Sequence, residues 1–409
     1  MADTREIVIV GAGEAGVRAA IGLREGGYDG ALTLIGEETH APYERPPLSK
    51  AAIVSETTPE LPGIGDARKL SEIDVDFVSG AVATKIDPNQ RILHTADGAA
   101  RRYDQLVLAT GARARRLRLP GAELGLRLRT YDDALVIRER FRAGSHVAII
   151  GGGFIGLELA ASARALGCEV VVIEAAPRVL QRATPPEISS VIEARHRAEG
   201  VEILTGTGVA GFAIESGREV VTLADGRNIA ADVIVAGVGA APEATLAAAA
   251  GLEIDNGIAV DARLRTSDPH IRAIGDCASF PHPLFEGRRM RLEAWRNAFD
   301  QGAHLARVLL GEDEDFQAVP WFWSDQYDIC LQIAGAPDMG ARTLKRDLGD
   351  DAVLLFHLTE EGRLIGVSGV GPLGKIAKEV RVGEMLIARR AAPDAAALAA
   401  PGVKLKGLL

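Results

Sequence analysis

Cysteine is scarce in this chain of 409 residues, and the three present, Cys168, Cys277 and Cys330, stand far apart. No C-x-x-C or C-x-x-x-x-C pair occurs, which excludes a local redox disulfide and a local zinc or cluster-binding loop. The three read instead as small buried residues. Four cysteines at cluster spacing are also missing, so the chain is expected to hold no iron–sulfur cluster of its own and no metal. Positive charge is in deficit: 46 Lys and Arg against 56 Asp and Glu leave a net charge of −10. That argues against nucleic acid or an anionic membrane surface as the main partner. No apolar run reaches the roughly 18 residues of a membrane helix. A strand expected from Glu6 leaves no room for a signal peptide, and the expected location is cytoplasmic. Aromatic residues make up only 4% of the chain, which makes the close pair Trp321 and Trp323 conspicuous.

What is abundant is glycine, and two clusters of it carry the main signal. Gly11-Ala12-Gly13-Glu14-Ala15-Gly16 follows the apolar run Glu6-Ile7-Val8-Ile9-Val10, and Gly151-Gly152-Gly153-Phe154-Ile155-Gly156 follows His146-Val147-Ala148-Ile149-Ile150. In each cluster the first glycine makes a tight bend and the second lets backbone approach a pyrophosphate. The third lets the next helix pack closely on the strand, so that helix N–H groups and dipole face the phosphates. One such cluster is weak evidence, but two, each after a strand and each followed by an acidic residue, predict two dinucleotide sites. The acidic residues are Glu37, after Ala31-Leu32-Thr33-Leu34-Ile35-Gly36, and Glu174, after Val170-Val171-Val172-Ile173. A carboxylate there accepts hydrogen bonds from ribose hydroxyls and repels a 2′-phosphate, so Glu174 predicts NADH over NADPH. Arg178 and Arg182 follow closely and complicate that preference: they could contact a 2′-phosphate, or be solvated or in contact with the NADH phosphates.

At this length two or three domains are expected. The first nucleotide domain is interrupted near Arg113 and resumes near Pro242, with the second cluster inside the interruption. Matching apolar strands ending in glycine, Tyr103 to Ala112 and Ala231 to Gly239, return the chain at the far end of each nucleotide domain. Ile274-Gly275-Asp276 then places a carboxylate at the C-terminal end of a strand, the end that faces ligands in an open α/β sheet. Asp276 is read as a ribitol acceptor or as the cap of a following helix. Beyond Pro320 short strands at Ile329–Ile333, Val353–Leu358 and Leu364–Val367 precede a helix from about Lys375 to Arg390, giving an α+β domain. Alanine-rich stretches near Ala247 and Ala395 are read as plain helices. Local basic clusters, Arg113 with Arg115, Arg116 and Arg118, Arg288 with Arg289 and Arg291, and Lys375 with Lys378 and Arg381 on the last helix, are docking sites for an acidic protein or simply solvated faces.

The two glycine clusters, together with Glu44-Arg45-Pro46-Pro47-Leu48-Ser49-Lys50, Ala109-Thr110-Gly111, Gly156-Leu157-Glu158, Ile274-Gly275-Asp276 and Pro320-Trp321-Phe322-Trp323-Ser324-Asp325-Gln326, resemble the two-dinucleotide flavoprotein reductases, within them the ferredoxin reductases of bacterial oxygenase systems. The likeness covers almost the whole chain. It implies an α/β fold of two Rossmann-like domains in a glutathione-reductase-like architecture plus a C-terminal α+β domain. Residues 1–112 and 241–319 would bind FAD, residues 113–240 NADH, and residues 320–409 would help form a ferredoxin-docking surface. The implied activity passes electrons from NADH through FAD to a two-iron two-sulfur ferredoxin, in a monomer or weak dimer.

Carried over residue by residue, the resemblance puts Ala15, Glu37, Lys50, Val82, Arg129, Asp276 and Trp295 at the FAD. Gly11, Gly13, Gly16, Arg45, Ala109, Gly275, Glu293 and Ala294 belong to the same set. Gly151, Gly153, Phe154, Ile155, Gly156, Glu158, Glu174, Arg182 and Gly239 fall to the second nucleotide. Lys50 follows a proline pair that stiffens its loop, and a cation at the flavin N1–N5 edge stabilises the reduced ring. Glu158 is expected to pair with Lys50 across the domain junction and orient it, or to form a surface salt bridge. Arg129 suits a pyrophosphate because guanidinium matches phosphate geometry. Trp321 and Trp323, two residues apart, put both rings on one face of an extended segment; they form a wall beside the nicotinamide and flavin, with Trp323 nearest the chemistry, or an interdomain packing anchor. Related thiol-dependent reductases place a redox cysteine in the loop after the second strand, and His40 to Lys50 has none. A rubredoxin or flavodoxin-type acceptor, and an NADH-sensing flavoprotein resembling apoptosis-inducing factor, remain as competing readings.

Overall fold

The run Glu6–Val10 is β-branched and apolar without alternation, as a strand covered on both faces of a parallel sheet should be. In the computed structural model, which describes residues 5–64 and 67–409, it is the central strand of a five-stranded sheet. The order is Ile271–Ala273, Gln105–Leu108, Glu6–Val10, Ala31–Ile35, Asp76–Val78, and every pairing is parallel. The chain leaves Glu6–Val10 for Ala31–Ile35 on one side, while Gln105–Leu108 lies on the other, so the strand's C-terminal end is a switch point. Helix Glu14–Glu25 starts there, and a long helix, Trp295–Leu309, packs on it. A three-stranded antiparallel meander, Ala83–Asp87, Ile92–Thr95 and Ala100–Arg102, belongs to the same unit.

The second cluster repeats the plan. Strand His146–Ile150 lies between Glu169–Ile173 and Val233–Ala236 in a four-stranded parallel sheet closed by Glu202–Leu204. Helix Phe154–Ala165 follows its turn and stops where Gly167 takes φ +79° and donates its N–H to Arg164 O, a left-handed glycine closing the last turn. From Trp321 onward a five-stranded antiparallel sheet forms in the order 321–326, 329–335, 364–372, 352–358, 342–349. Helix Ala377–Ala388 packs on its central strands.

The contacts divide the chain into two units, Met1–Glu44 with Leu61–Arg113 and Ala241–Pro320, and Arg45–Glu60 with Ala114–Ala240 and Trp321–Leu409. Residues 45–60 therefore join the unit of the second glycine cluster. Their helix Ala51–Val54 packs on helices Tyr131–Arg140 and Phe154–Ala165, and the Ser162 hydroxyl donates to Ser49 O at 2.7 Å.

Several expectations change. The last helix begins at Ala377, so Lys375 precedes it and pairs with Asp350 at 3.1 Å, while Arg381 pairs with Glu384 at 2.6 Å. The three cations thus form no shared helical stripe. The alanine-rich helices are short, Thr245–Ala249 and Ala395–Ala399. No helix follows Asp276 directly: a 3₁₀ turn, Gly275–Cys277, runs into strand Ala278–His282, which removes the capping reading. Among the described residues no helix is long and apolar enough to cross a membrane.

Candidate functional site

Both glycine turns have the same geometry, built by the same contacts. Gly11 has φ +115° and Gly151 φ +107°, a region closed to side chains. A Cβ on Gly11 would sit 2.1 Å from Ala109 O, and one on Gly151 2.5 Å from Gly237 O. The third glycines are equally tight: a Cβ on Gly16 or Gly156 would lie 2.0 or 2.1 Å from the carbonyl of Gly11 or Gly151. At Gly13 and Gly153 the opposite holds, with nothing within 4 Å. Each middle glycine therefore faces open space at a helix N-terminus, where first-turn N–H groups lack intrahelical acceptors. That is a cradle shaped for a pyrophosphate in each unit, and the residues present fit two dinucleotides.

Around the first cradle, Ala15 and Ala109 are buried and Val82 is exposed. Glu37 is exposed and pairs with Arg113 at 3.2 Å, and Arg113 also pairs with Glu243. Gly275, at φ +77°, donates its N–H to the buried Gln301 amide oxygen at 2.7 Å, fixing the turn that carries Asp276. Trp295 opens its helix after Ala294, its ring stacked on Phe299 and the Arg18 guanidinium over Phe299 at 4.6 Å. Glu293 pairs with Arg291 at 2.7 Å. Arg289 donates to Ser279 O, so the basic cluster near residue 289 is largely engaged inside its own unit.

Around the second cradle, Glu174 Oε2 accepts from Gly152 N–H and Oε1 from Ala176 N–H, both at 2.7 Å. The carboxylate is thereby aimed by the turn itself. Arg178 donates to Ser189 Oγ, Gln181 O and Thr184 O, so it braces its own loop, whereas Arg182 is exposed. Ile155 is exposed and Phe154 tilts against Phe322 at 4.3 Å between centroids. Gly239, at φ +97°, has its carbonyl bonded by Arg115 N–H at 2.9 Å.

Lys50 and Glu158 form an ion pair at 2.7 Å. They share one unit, so the pair does not bridge a domain junction, because residues 45–60 are folded against helix Phe154–Ala165. Nor is it a surface bridge: the Glu158 side chain is only 5% exposed. The carboxylate also accepts from the Ser49 and Ser324 hydroxyls, the latter at 2.6 Å. Arg45, in the same loop, donates to Arg129 O, and Arg129 N–H bonds Asp133 Oδ2 at 2.9 Å as part of a helix cap.

Strand Trp321–Gln326 supplies both sides of this site. Trp321 and Trp323 stack with centroids 5.1 Å apart and 19° between planes, on one face as the two-residue spacing requires. On the other face Phe322 meets Phe154, Ser324 meets Glu158 and Gln326 meets His196. Ser49, Ser324 and Gln326 lie in matched motifs without a role assigned to them, and His196 lies in none; all four are functional candidates here. For Ser324 and Gln326 the signal is their i, i+2 alternation, two polar side chains on the buried face of the strand.

All three cysteines are free and buried. Burial pushes every thiol up, Cys330 to about 12, so no thiolate is available near neutrality.

Residues 5–302 match the pyridine nucleotide-disulphide oxidoreductase family, and residues 321–409 match a reductase C-terminal family. The chain belongs to the pyridine nucleotide-disulphide oxidoreductases. It is 39% identical over 373 residues to putidaredoxin reductase of Pseudomonas putida, covering 89% of this chain and 88% of the relative. It is 38% identical to the ferredoxin–NAD(+) reductase component of an anthranilate 1,2-dioxygenase system of Burkholderia cepacia, over 98% of each. The covalent putidaredoxin reductase–putidaredoxin complex superposes with a TM-score of 0.93 at 36% identity, over 99% of this chain and 98% of that one. The disulphide in the family's description has no counterpart here, since the three cysteines are isolated.

Proposed function

We propose that this chain is an NADH-dependent flavoprotein reductase that passes electrons through FAD to a two-iron two-sulfur ferredoxin serving a monooxygenase or dioxygenase. The observation that carries it is the pair of matched cradles, one per unit, each with open space at its middle glycine. The near full-length relatives that act with ferredoxins support the acceptor. In this reading the body of residues 1–44, 61–112 and 241–319 holds FAD, residues 113–240 hold NADH, and residues 320–409 contribute to docking, with residues 45–60 carried in the unit of the second cradle. The first cradle would hold the FAD pyrophosphate, with Glu37 to accept from the ribose and Asp276 from the ribitol chain.

When bound, flavin supplies the chemistry of taking two electrons together as hydride and giving them up singly. The chain supplies orientation and charge. Glu174, held by two backbone N–H groups, receives the NADH ribose and disfavours a 2′-phosphate. Lys50, paired with Glu158, would supply the cation for the flavin edge, and the stacked tryptophans would shield the nicotinamide from water. No side chain need act as acid or nucleophile, which agrees with the burial of every thiol.

The test is an anaerobic titration of the purified protein with NADH and, separately, NADPH, followed by addition of a two-iron ferredoxin or of rubredoxin. Rapid bleaching by NADH, reversed by ferredoxin, is expected. Faster reoxidation by rubredoxin would transfer the acceptor assignment, and a persistent charge-transfer band without electron transfer would replace it with an NADH-sensing role.

A further inference from the structure

The Lys50–Glu158 pair is the end of a longer hydrogen-bond chain whose polarity is fixed throughout. A carboxylate only accepts, so the Ser324 hydroxyl must donate to Glu158 Oε1, at 2.6 Å. Its lone pair then receives the Gln326 amide N–H at 3.0 Å. That orients the amide so that Gln326 Oε1 faces His196 Nε2 at 2.7 Å, and Nε2 must carry the imidazole proton. His196 Nδ1 is left as the acceptor facing the Tyr327 hydroxyl at 3.4 Å. Every step donates toward Glu158, and aligned donors polarise one another in a dry interior.

The middle of the hydrogen-bond chain is buried: Ser324, Gln326 and His196 are each at most 1% exposed. Burial holds His196 at about 4, despite the opposing pull of Gln326 and Glu199, and pushes the Tyr327 phenol up. Both groups stay neutral and the polarity does not reverse near pH 7. A proton relay is excluded by Gln326, because an amide does not hand on a proton as a hydroxyl or imidazole does. What the chain does is fix geometry. Lysine is a flexible point charge on four rotatable bonds, and a single carboxylate partner free to turn would let it swing.

We propose that Ser324, Gln326 and His196 are positioning residues that lock the Glu158 carboxylate and, through it, the Lys50 ammonium at the flavin edge. This rests on the reading of Lys50 as the flavin-edge cation. Loss of the Ser324 hydroxyl leaves Oε1 without its donor, so Glu158 draws more of the Lys50 charge and less of it reaches the flavin.

The experiment measures the flavin midpoint potential and the rate of bleaching by NADH in the holoprotein for Lys50→Gln, Ser324→Ala, Ser324→Thr and Gln326→Leu. Lys50→Gln is expected to lower the potential most. Ser324→Ala is expected to lower it by the equivalent of about a tenfold change in the reduction equilibrium, about 30 mV for two electrons, and to slow bleaching several-fold. Ser324→Thr should restore both, which a merely structural role would not. If Lys50→Gln shifts the potential and neither Ser324→Ala nor Gln326→Leu does, the positioning role is overturned while the Lys50 reading stands. If Lys50→Gln leaves the potential unchanged, that reading fails and takes the inference with it. Should Ser324→Ala lose its flavin, Gln326→Leu decides, together with nitrogen-15 shifts of the imidazoles, tractable in a chain with eight histidines. A proton found on His196 Nδ1 would overturn the proposal outright.

Discussion

The two glycine turns are nearly superposable in their constraints and differ in what surrounds them. In the first, the following acidic residue, Glu37, is exposed and paired with another exposed side chain, Arg113. In the second, Glu174 is tied to two backbone N–H groups of its own turn and loop. The helix after the first turn opens with Glu14, whose pKa burial raises and which pairs with Arg18. The helix after the second opens with Phe154 and carries the buried Glu158 one turn later. The backbone cradle suits any pyrophosphate, and the flanking side chains are where the two turns differ.

The largest effects are expected at the glycines. Gly11→Val forces a branched side chain into Ala109 O at φ +115°, and Gly151→Val repeats the insult in the other unit. Gly11→Val is expected to purify without yellow flavin absorbance, whereas Gly151→Val keeps the flavin but loses bleaching by NADH entirely. Loss of flavin from both would show that the cradles do not serve separate nucleotides. Glu174→Arg is next in size. It removes the carboxylate proposed to accept from the ribose, a charge-assisted hydrogen bond worth roughly 1.5–3 kcal/mol, and steady-state kinetics should show NADH efficiency down about ten- to a hundredfold, with NADPH improved relative to it. Equal NADH efficiency would show that Glu174 holds no ribose.

Acid sharpens the contrast at the level of whole units. Burial holds His282 in the first unit and His196 and His357 in the second to about 4, below the ordinary 6.5. For a histidine kept neutral by the fold, the unfolded chain binds the proton first. Stability is therefore full above about pH 6.5 and falls toward pH 4, by up to ~1.4 kcal/mol per pH unit for each group. Thermal melts at pH 7 and 5 should show the loss, and His282→Gln or His357→Gln should flatten it while lowering stability at pH 7. His282 tests this cleanly, since its Nδ1 accepts Leu284 N–H and its Nε2 donates to Ala318 O.

The parallel sheets were legible because their strands are unbroken apolar runs and their turns carry glycines that only a left-handed backbone explains. Strand Arg342–Gly349 was not, because an edge strand reading Arg-Thr-Leu-Lys-Arg-Asp-Leu-Gly is charged where a buried strand would be apolar. The same limit hid Arg346, buried at that strand, whose guanidinium holds the carbonyls of Leu398, Pro401 and Val403 in the C-terminal segment. At the site, Lys50 and Glu158 were readable from motifs, but the unit they share was not. That depends on where residues 45–60 pack, which no local spacing encodes. Ser324, Gln326 and His196 escaped because their chemistry lies in a hydrogen-bond order that spans three segments.

The smallest effect tests the comparison from its other side. Glu37 and Arg113 form an exposed ion pair at 3.2 Å, both side chains more than half exposed. Such a pair contributes about 0–1 kcal/mol and is screened by salt. Glu37→Gln should therefore shift the thermal midpoint hardly at all in the flavin-free protein. In the holoprotein, where Glu37 is proposed to accept from a ribose, the same substitution should loosen FAD several-fold, measured as flavin released on dilution. Glu174→Gln should behave in reverse, costing stability even in flavin-free protein, since two backbone donors lose a charged partner. Equal stability losses in the two variants would mean that the carboxylates are built alike after all, and that the difference between the turns lies only in what they bind.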